Sequence, residues 1–366
     1  MTPALAPADD ALALVKPAVR AQPAYTLAPL PCRRKLNQNE AALDLPAAIK
    51  QEVLARAARA DWRRYPEFVP QSLLDRLATH YGWRGDGILA GNGSNELIQA
   101  TLSVALGAGD VVVAPSPTFS LYRLLTNVYG GRYVGVPLGP GFAFDVDALV
   151  DAARRERAKV VIVTSPNNPT GSAMPEGTVE RLLAGTGALV VCDEAYQEFG
   201  GPTAVPLLAA HPRVVVLRTF SKALGLAGLR FGVGLAQPSL ATEIAKAKLP
   251  YNVNLFTLLA AEVALGHAGE MEARVAETVR QRERLLAGLA ALPGLEPFPS
   301  AANFILVRCH ARPAGELFRR LLDDDGILVR DVSSGEGLAG CLRFSVGTAD
   351  DVDALLAALR RLVGTA

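Results

Sequence analysis

The sequence predicts an α/β chain with a mostly parallel sheet covered by helices, followed by a smaller α+β unit. Two observations carry this. Short apolar, β-branched runs alternate with stretches of helical period through the first two thirds of the chain, the pattern of a parallel sheet with crossover helices. After about Pro250 that alternation gives way to one long helix-period segment and scattered short strands.

Taken in order, Val111-Val-Val-Ala114, Val160 to Thr164, Leu189 to Asp193, Val214 to Arg218 and Phe231 to Leu235 read as strands. They are near-continuous rather than alternating in hydrophobicity, as strands buried on both faces are. Asp147 to Arg157 and Pro175 to Ala184 read as helices between them. Beyond Pro250, a helix over Glu270 to Leu292, a strand over Asn303 to Val307, a helix over Gly315 to Leu322 and a strand over Cys341 to Val346 follow. Thr348-Ala-Asp-Asp351 has the form of a cap opening a final amphipathic helix.

Composition bounds the function. The 366 residues are 50% apolar and 20% charged, with a net charge of +1. This balance gives no reason to expect nucleic acid or a membrane surface as partner. No apolar run approaches the ~18 residues needed to cross a bilayer, and Asp9 and Asp10 interrupt the start where a signal peptide needs an apolar stretch. Cys32, Cys192, Cys309 and Cys341 have no CxxC spacing and sit beside apolar residues, which reads as reduced thiols in a cytoplasmic protein. The four histidines are scattered and suggest no metal site.

Four segments carry chemistry. Arg218-Thr-Phe-Ser-Lys222 follows the apolar run Val214 to Leu217 and has Arg230 eight residues on. A lysine at the end of a buried strand is costly unless it is paired, chemically used or bound; the bland alternative is a helix-start lysine in a turn. Val160 to Thr164 runs into Ser165-Pro-Asn-Asn-Pro-Thr-Gly171, placing polar side chains at a carboxyl strand end, where α/β folds bind ligands. Leu189 to Asp193 ends on a carboxylate that needs a cationic or proton-donating partner. Gly91-Asn-Gly-Ser-Asn-Glu96 opens a helix with small residues, either as an ordinary cap or as an amide cradle for phosphate.

Together these segments describe one ligand. A lysine amine condenses with an aldehyde. An aspartate holds a pyridine nitrogen protonated, so that the ring serves as an electron sink. Asn168 and Tyr196 can both reach a phenolic oxygen, while Ser94, Asn95, Ser221 and the Arg230 fork suit a phosphate, with Thr219 a weaker additional donor. The ligand is pyridoxal 5'-phosphate.

Ser-Pro-Asn-Asn-Pro-Thr-Gly, Asp-Glu-Ala-Tyr and Ser-Lys-(x)7-Arg, in that order, resemble the fold-type I aminotransferases of classes I and II. Gly340-Cys-Leu-Arg-Phe-Ser-Val-Gly-Thr348 and Lys35-Leu-Asn-Gln-Asn-Glu40 resemble, more narrowly, the histidinol-phosphate aminotransferases. The resemblance runs from about Tyr25 to the C-terminus. It implies a large cofactor domain over 46–253 with a sheet of seven-stranded type, and a small domain built from 254–366 with the arm 1–45.

It also implies roles. Lys222 is the covalent anchor and proton carrier, its pKa lowered by burial or nearby cations. Asp193 and Tyr196 act beside it, and Phe119 stacks on the ring unless it is simply a core phenylalanine. Tyr65, in Arg63-Arg-Tyr-Pro-Glu67, reaches the phosphate of the neighbouring subunit's cofactor, which makes the enzyme a homodimer with shared sites; otherwise it marks a surface turn. Arg343 binds the substrate carboxylate or phosphate, helped by Arg330, with Tyr25 closing the site; the last two have surface or structural roles as alternatives. Bidentate anion binding explains arginine at both places.

The implied reaction is transamination between L-histidinol phosphate and 2-oxoglutarate, giving imidazole-acetol phosphate and glutamate. A phenylalanine or tyrosine aminotransferase shares every motif, and a decarboxylase of the threonine-phosphate type would use the same arginines. An aminotransferase-like ligand sensor would carry a basic helix-turn-helix ahead of residue 46, and none is present; a nicotinamide site lacks its GxGxxG after a strand. One departure stands out. Relatives continue Asn-Glu-Asn-Pro where this chain has Asn39-Glu40-Ala41-Ala42, so the turn of the arm differs.

Overall fold

The computed structural model describes residues 9–22 and 29–364. Its strands are β1 (Arg34–Lys35), β2 (Ile88–Asn92), β3 (Val111–Ser116), β4 (Arg132–Pro137), β5 (Val160–Thr164), β6 (Leu189–Asp193), β7 (Val214–Thr219) and β8 (Phe231–Ala236). They continue with β9 (Leu295–Pro297), β10 (Phe304–Cys309), β11 (Ile327–Leu328), β12 (Arg330–Asp331) and β13 (Cys341–Ser345).

Seven strands form one sheet in the order β2-β8-β7-β6-β5-β3-β4. β3 to β7 and β4 run parallel, and β8 is antiparallel to both its neighbours, β2 and β7. The valine-rich strands are buried from end to end, as the continuous apolar runs predict. Alternate side chains supply the two faces. Val161, Val163, Val190, Val214 and Val216 pack against helices Ala47–Arg59, Gln71–Tyr81, Val146–Arg155, Thr178–Gly185 and Leu255–Gly266. Val160, Ile162, Val191, Val215 and Leu217 pack against Ser94–Ala105, Leu121–Val128 and Pro238–Ala245.

Strand order reverses between β5 and β3, so the carboxyl ends of β3, β5, β6 and β7 open a crevice there, as doubly wound sheets do. Asp193 shares the face of Val191, while Glu194 turns to the other side and pairs with Arg218 at 2.8 Å, both buried.

A second, antiparallel sheet has the order β12-β13-β10-β9. It packs on helices Ala268–Ala290, Ala314–Asp323 and Ala349–Val363 through Leu285, Leu317, Leu342, Phe344 and Leu355. β1, from the arm, pairs in parallel with β11. Thr348 caps the last helix by the expected reciprocal bonds with Asp351. Among the described residues no helix is long and apolar enough to cross a membrane, and no group of His, Cys, Asp or Glu is placed to hold a metal ion. Cys192, Cys309 and Cys341 are buried free thiols, and Cys32 is partly exposed.

Candidate active site

A cleft of about 1150 Å³ lies between the crevice of the large sheet and the edge of the small one. Of the residues singled out in the sequence, Ser94, Asn95, Phe119, Asn168, Asp193, Tyr196, Thr219, Ser221, Lys222, Arg230, Arg330 and Arg343 all line it. Tyr65 does not. It is 79% exposed and stacks on Tyr251 with ring centroids 4.4 Å apart. Tyr25 lies outside the described residues.

At one end the chain builds an anion cradle. Gly93, at φ 75, turns β2 into helix Ser94–Ala105, whose first N–H groups have no partner within the helix. Glu96 bonds back to the Asn92 N–H and to Asn252, away from the cradle. Arg230, itself at φ 59, donates to Ser221 Oγ at 3.1 Å. A Cβ on Gly93 would lie 2.4 Å from Arg230 Nη2, and one on Gly232 would lie 2.2 Å from Ser94 N. Only glycine permits this approach. Thr219 Oγ1 is engaged with backbone, accepting from Ser221 N and donating to Phe231 O.

At the other end Asp193, 3% exposed, closes β6. It accepts from Tyr122 OH at 2.6 Å and from Ala195 N at 3.2 Å, and Tyr122 also meets Thr164 Oγ1 at 2.7 Å. Burial still holds the Asp193 pKa above the usual carboxylate value despite both donors. A buried carboxylate held in this way calls for a cationic partner from the cleft.

Between the two ends stands Lys222. Its Nζ donates to Gln38 O at 2.8 Å and lies 5.9 Å from the Tyr196 ring centroid. Burial first, then the charge of Arg343, lowers its pKa to about 7. The amine is thus poised near neutrality, as the sequence reading required.

Asn168 Oδ1 accepts from Arg343 Nη1, which leaves the amide N–H₂ as the group it offers to a ligand oxygen. Asn167 is structural: it bonds Pro117 O, Thr118 Oγ1 and Thr170 Oγ1, and so locks its loop. Arg343 Nη2 donates to Asn37 O at 2.8 Å, and its guanidinium lies 5.2 Å from the Phe304 ring. Arg330 on β12 is the register partner of Arg343 on β13, so two cations stand side by side at the cleft. Phe119 meets Tyr122 edge-on at 5.7 Å.

Several functional residues escaped the sequence reading. Tyr122 and Thr164 stand behind Asp193. Asn37, Gln38 and Asn39 reach Arg343, Lys222 and Tyr196 respectively. Three consecutive uncharged amides, between Lys35-Leu36 and Glu40, were the available signal.

An aldehyde-reactive amine between a phosphate cradle and a buried carboxylate fits pyridoxal 5'-phosphate, and the Gly93–Arg230 approach leaves no room for a bulkier residue in the cradle. Comparison with known proteins agrees. The sequence profile of the family described as aminotransferase class I and II matches residues 34–359. Histidinol-phosphate aminotransferase of Chlorobaculum tepidum is 37% identical over 329 residues, covering 90% of this chain and 94% of that protein. That of Chlorobium phaeobacteroides is 39% identical over 355 residues, covering 96% and 98%. The crystal structure of histidinol-phosphate aminotransferase from Sinorhizobium meliloti, in complex with pyridoxal 5'-phosphate, superposes with a TM-score of 0.86 at 28% identity, covering 96% and 97%. By sequence profile, relatives and fold together, the chain belongs to the pyridoxal-phosphate aminotransferases of class I and II, in the histidinol-phosphate aminotransferase family.

Proposed function

We propose that this enzyme moves the amino group of L-histidinol phosphate to 2-oxoglutarate, with the residues of the cleft in the following roles. The observation that carries the substrate reading is the pairing of Arg343 with Arg330 in register at the cleft wall that also presents Lys222. Two guanidinium groups suit a substrate whose anion is a phosphate in one half-reaction and a carboxylate in the other. The curated relatives, 37–39% identical over nine tenths or more of the chain, support the same choice.

The Mechanism follows from the groups present. Ser94, Asn95, Ser221 and Arg230 hold the cofactor phosphate. Phe119 would cover the ring, Asn168 and Tyr196 would serve its phenolic oxygen, and Asp193 would keep its nitrogen protonated. When bound, the cofactor supplies an electron sink for the charge left on the substrate α-carbon. Lys222 would anchor the cofactor, and its Nζ stands where it can take a proton from the substrate α-carbon and return it; a pKa of about 7 suits both the uptake and the return. Arg343, fixed by Asn168 and Asn37 O, orients the substrate so that this proton faces Lys222.

On this reading residues 46–253 form the cofactor domain, and 254–366 with the arm 1–45 form the small domain. The enzyme works as a cytoplasmic homodimer whose sites are shared through Tyr65. Trp62, Tyr65 and Phe68 are exposed by two thirds or more, and Tyr251 lies against Tyr65 and Phe68, an apolar aromatic cluster that a second copy would cover.

The test is a titration of the cofactor-loaded protein with L-histidinol phosphate and, separately, with phenylalanine, read by the cofactor's absorbance. Conversion by histidinol phosphate, with glutamate formed from 2-oxoglutarate, is the expected result. Conversion by phenylalanine alone makes the enzyme an aromatic aminotransferase, and release of carbon dioxide makes it a decarboxylase.

A further inference from the structure

The arm makes its most buried polar contact at Asn39, 1% exposed and in the left-handed region at φ 55. Its backbone N–H donates to Ser345 Oγ at 2.8 Å, and its carbonyl accepts from Asn303 Nδ2 at 3.0 Å. The Ser345 hydroxyl in turn donates to Asn39 Oδ1 at 2.9 Å. With Ser345 Oγ receiving the Asn39 N–H and giving its own hydrogen to Oδ1, the oxygen end of the carboxamide lies against Ser345. The Nδ2 end therefore faces Tyr196 and donates to its phenol oxygen at 3.1 Å. An amide N–H₂ offers no lone pair to the phenol's hydrogen, so that hydrogen points away from Asn39.

Resting on the reading that the cleft holds pyridoxal 5'-phosphate, we propose that Asn39 is a positioning residue that sets Tyr196 as hydrogen-bond donor to the cofactor's phenolic oxygen. A donor aimed at that oxygen draws off its negative charge and makes the cofactor nitrogen joined to Lys222 less basic. The device spans the molecule: Ser345 lies on β13 of the small sheet, Asn39 in the arm, and Tyr196 just beyond β6 of the large sheet. The same arm segment receives Lys222 at Gln38 O and Arg343 at Asn37 O, so one strap touches the phenol, the amine and the substrate-binding arginine together.

The charged groups around this point are Lys222; Arg343, which packs on Phe304, itself edge-on to Tyr196 at 5.2 Å; Asp193; Arg230; and Lys35 with Glu40 on the arm. None of them changes in the variants that test the proposal, and all of those variants are neutral.

The test is the pH midpoint of the loaded protein's visible absorbance in wild type, Asn39→Gly, Ser345→Ala, Tyr196→Phe and the double Asn39→Gly/Tyr196→Phe. Glycine keeps the positive φ and both backbone bonds at position 39 and removes only the carboxamide. Asn39→Gly and Tyr196→Phe are each expected to raise the midpoint by about one to two pH units, the scale of one charge-assisted hydrogen bond. Ser345→Ala moves it the same way by less, and the double variant moves no further than Tyr196→Phe alone. An unchanged midpoint in Asn39→Gly, or a double variant showing the sum of the single shifts, overturns the proposal. Should circular dichroism show Asn39→Gly unfolded, Ser345→Ala decides by the same criterion. The same pH midpoint persisting in Lys222→Ala, or no visible band in the loaded wild type, sinks the underlying cofactor reading instead.

Discussion

Lys222 costs the cofactor-free protein stability, and the size of that cost follows from its surroundings. Burial and Arg343 lower its pKa from 10.5 to about 7. At about 1.4 kcal/mol per pH unit, this corresponds to about 5 kcal/mol as an upper bound, which solvent in the open cleft reduces because the side chain is only half-buried. Replacing it by methionine removes the buried amine and keeps the length of the side chain. Loss of the bond to Gln38 O offsets about 1 kcal/mol, so Lys222→Met should stabilise the apoprotein by up to about 4 kcal/mol at pH 6. The sign then depends on pH. Below about pH 7 the lysine is protonated in both native and unfolded states, and the full cost is present. Between about 7 and 10.5 only the unfolded chain holds the proton, so native stability rises with pH, and near 10.5 the cost is gone. Urea unfolding of both cofactor-free proteins at pH 6 and pH 10 measures the difference, in which the other ionisations cancel. A variant no more stable than wild type at pH 6, or equally favoured at both pH values, would refute the assignment of Lys222 as a buried, neutralised amine.

Two other substitutions probe the ends of the cleft. Gly93→Ala places a methyl 2.4 Å from Arg230 Nη2 on a backbone at φ 75; displacing the guanidinium should weaken cofactor binding by about 10- to 100-fold, read by equilibrium dialysis. Unchanged affinity would remove the phosphate cradle from this loop. Tyr122→Phe deletes the stronger donor to Asp193, whose pKa burial already raises. The ionised carboxylate is then lost at higher pH, so the acid limb of kcat/KM should move upward; a fixed limb would show that Tyr122 does not act through Asp193.

What the sequence disclosed follows from where each residue takes its instructions. β5 and β6 run from the first to the last residue expected, because a parallel strand buried on both faces must be apolar throughout. The Thr348 cap was equally local. β4 was invisible: it is the sheet's edge, half-exposed, and contains Gly135 and Pro137. β11 and β12 have two residues each and exist only through their pairing with β1 and β13. In the site, motif residues at strand ends were legible because ligand chemistry demands those types there. Asn37 to Asn39 were not assigned roles, since their partners Tyr196, Lys222 and Arg343 lie 157 to 306 positions away in the chain. Asn167 and Asn168 are adjacent and identical in type, and only the fold separates the structural amide from the one that faces the cleft.

The two sheets divide the enzyme's inheritance. Lys222, Asp193 and the Gly93 turn hang from the ends of the large sheet, whereas Arg330 and Arg343 sit on neighbouring strands of a different sheet with its own hydrophobic core. A lineage can therefore change Arg330 on β12, and with it the anions it accepts, more freely than β13, whose Arg343 and Ser345 also reach Lys222, Asn168 and Asn39. Such a scaffold diversifies by changing what it admits while the reaction it performs stays constant.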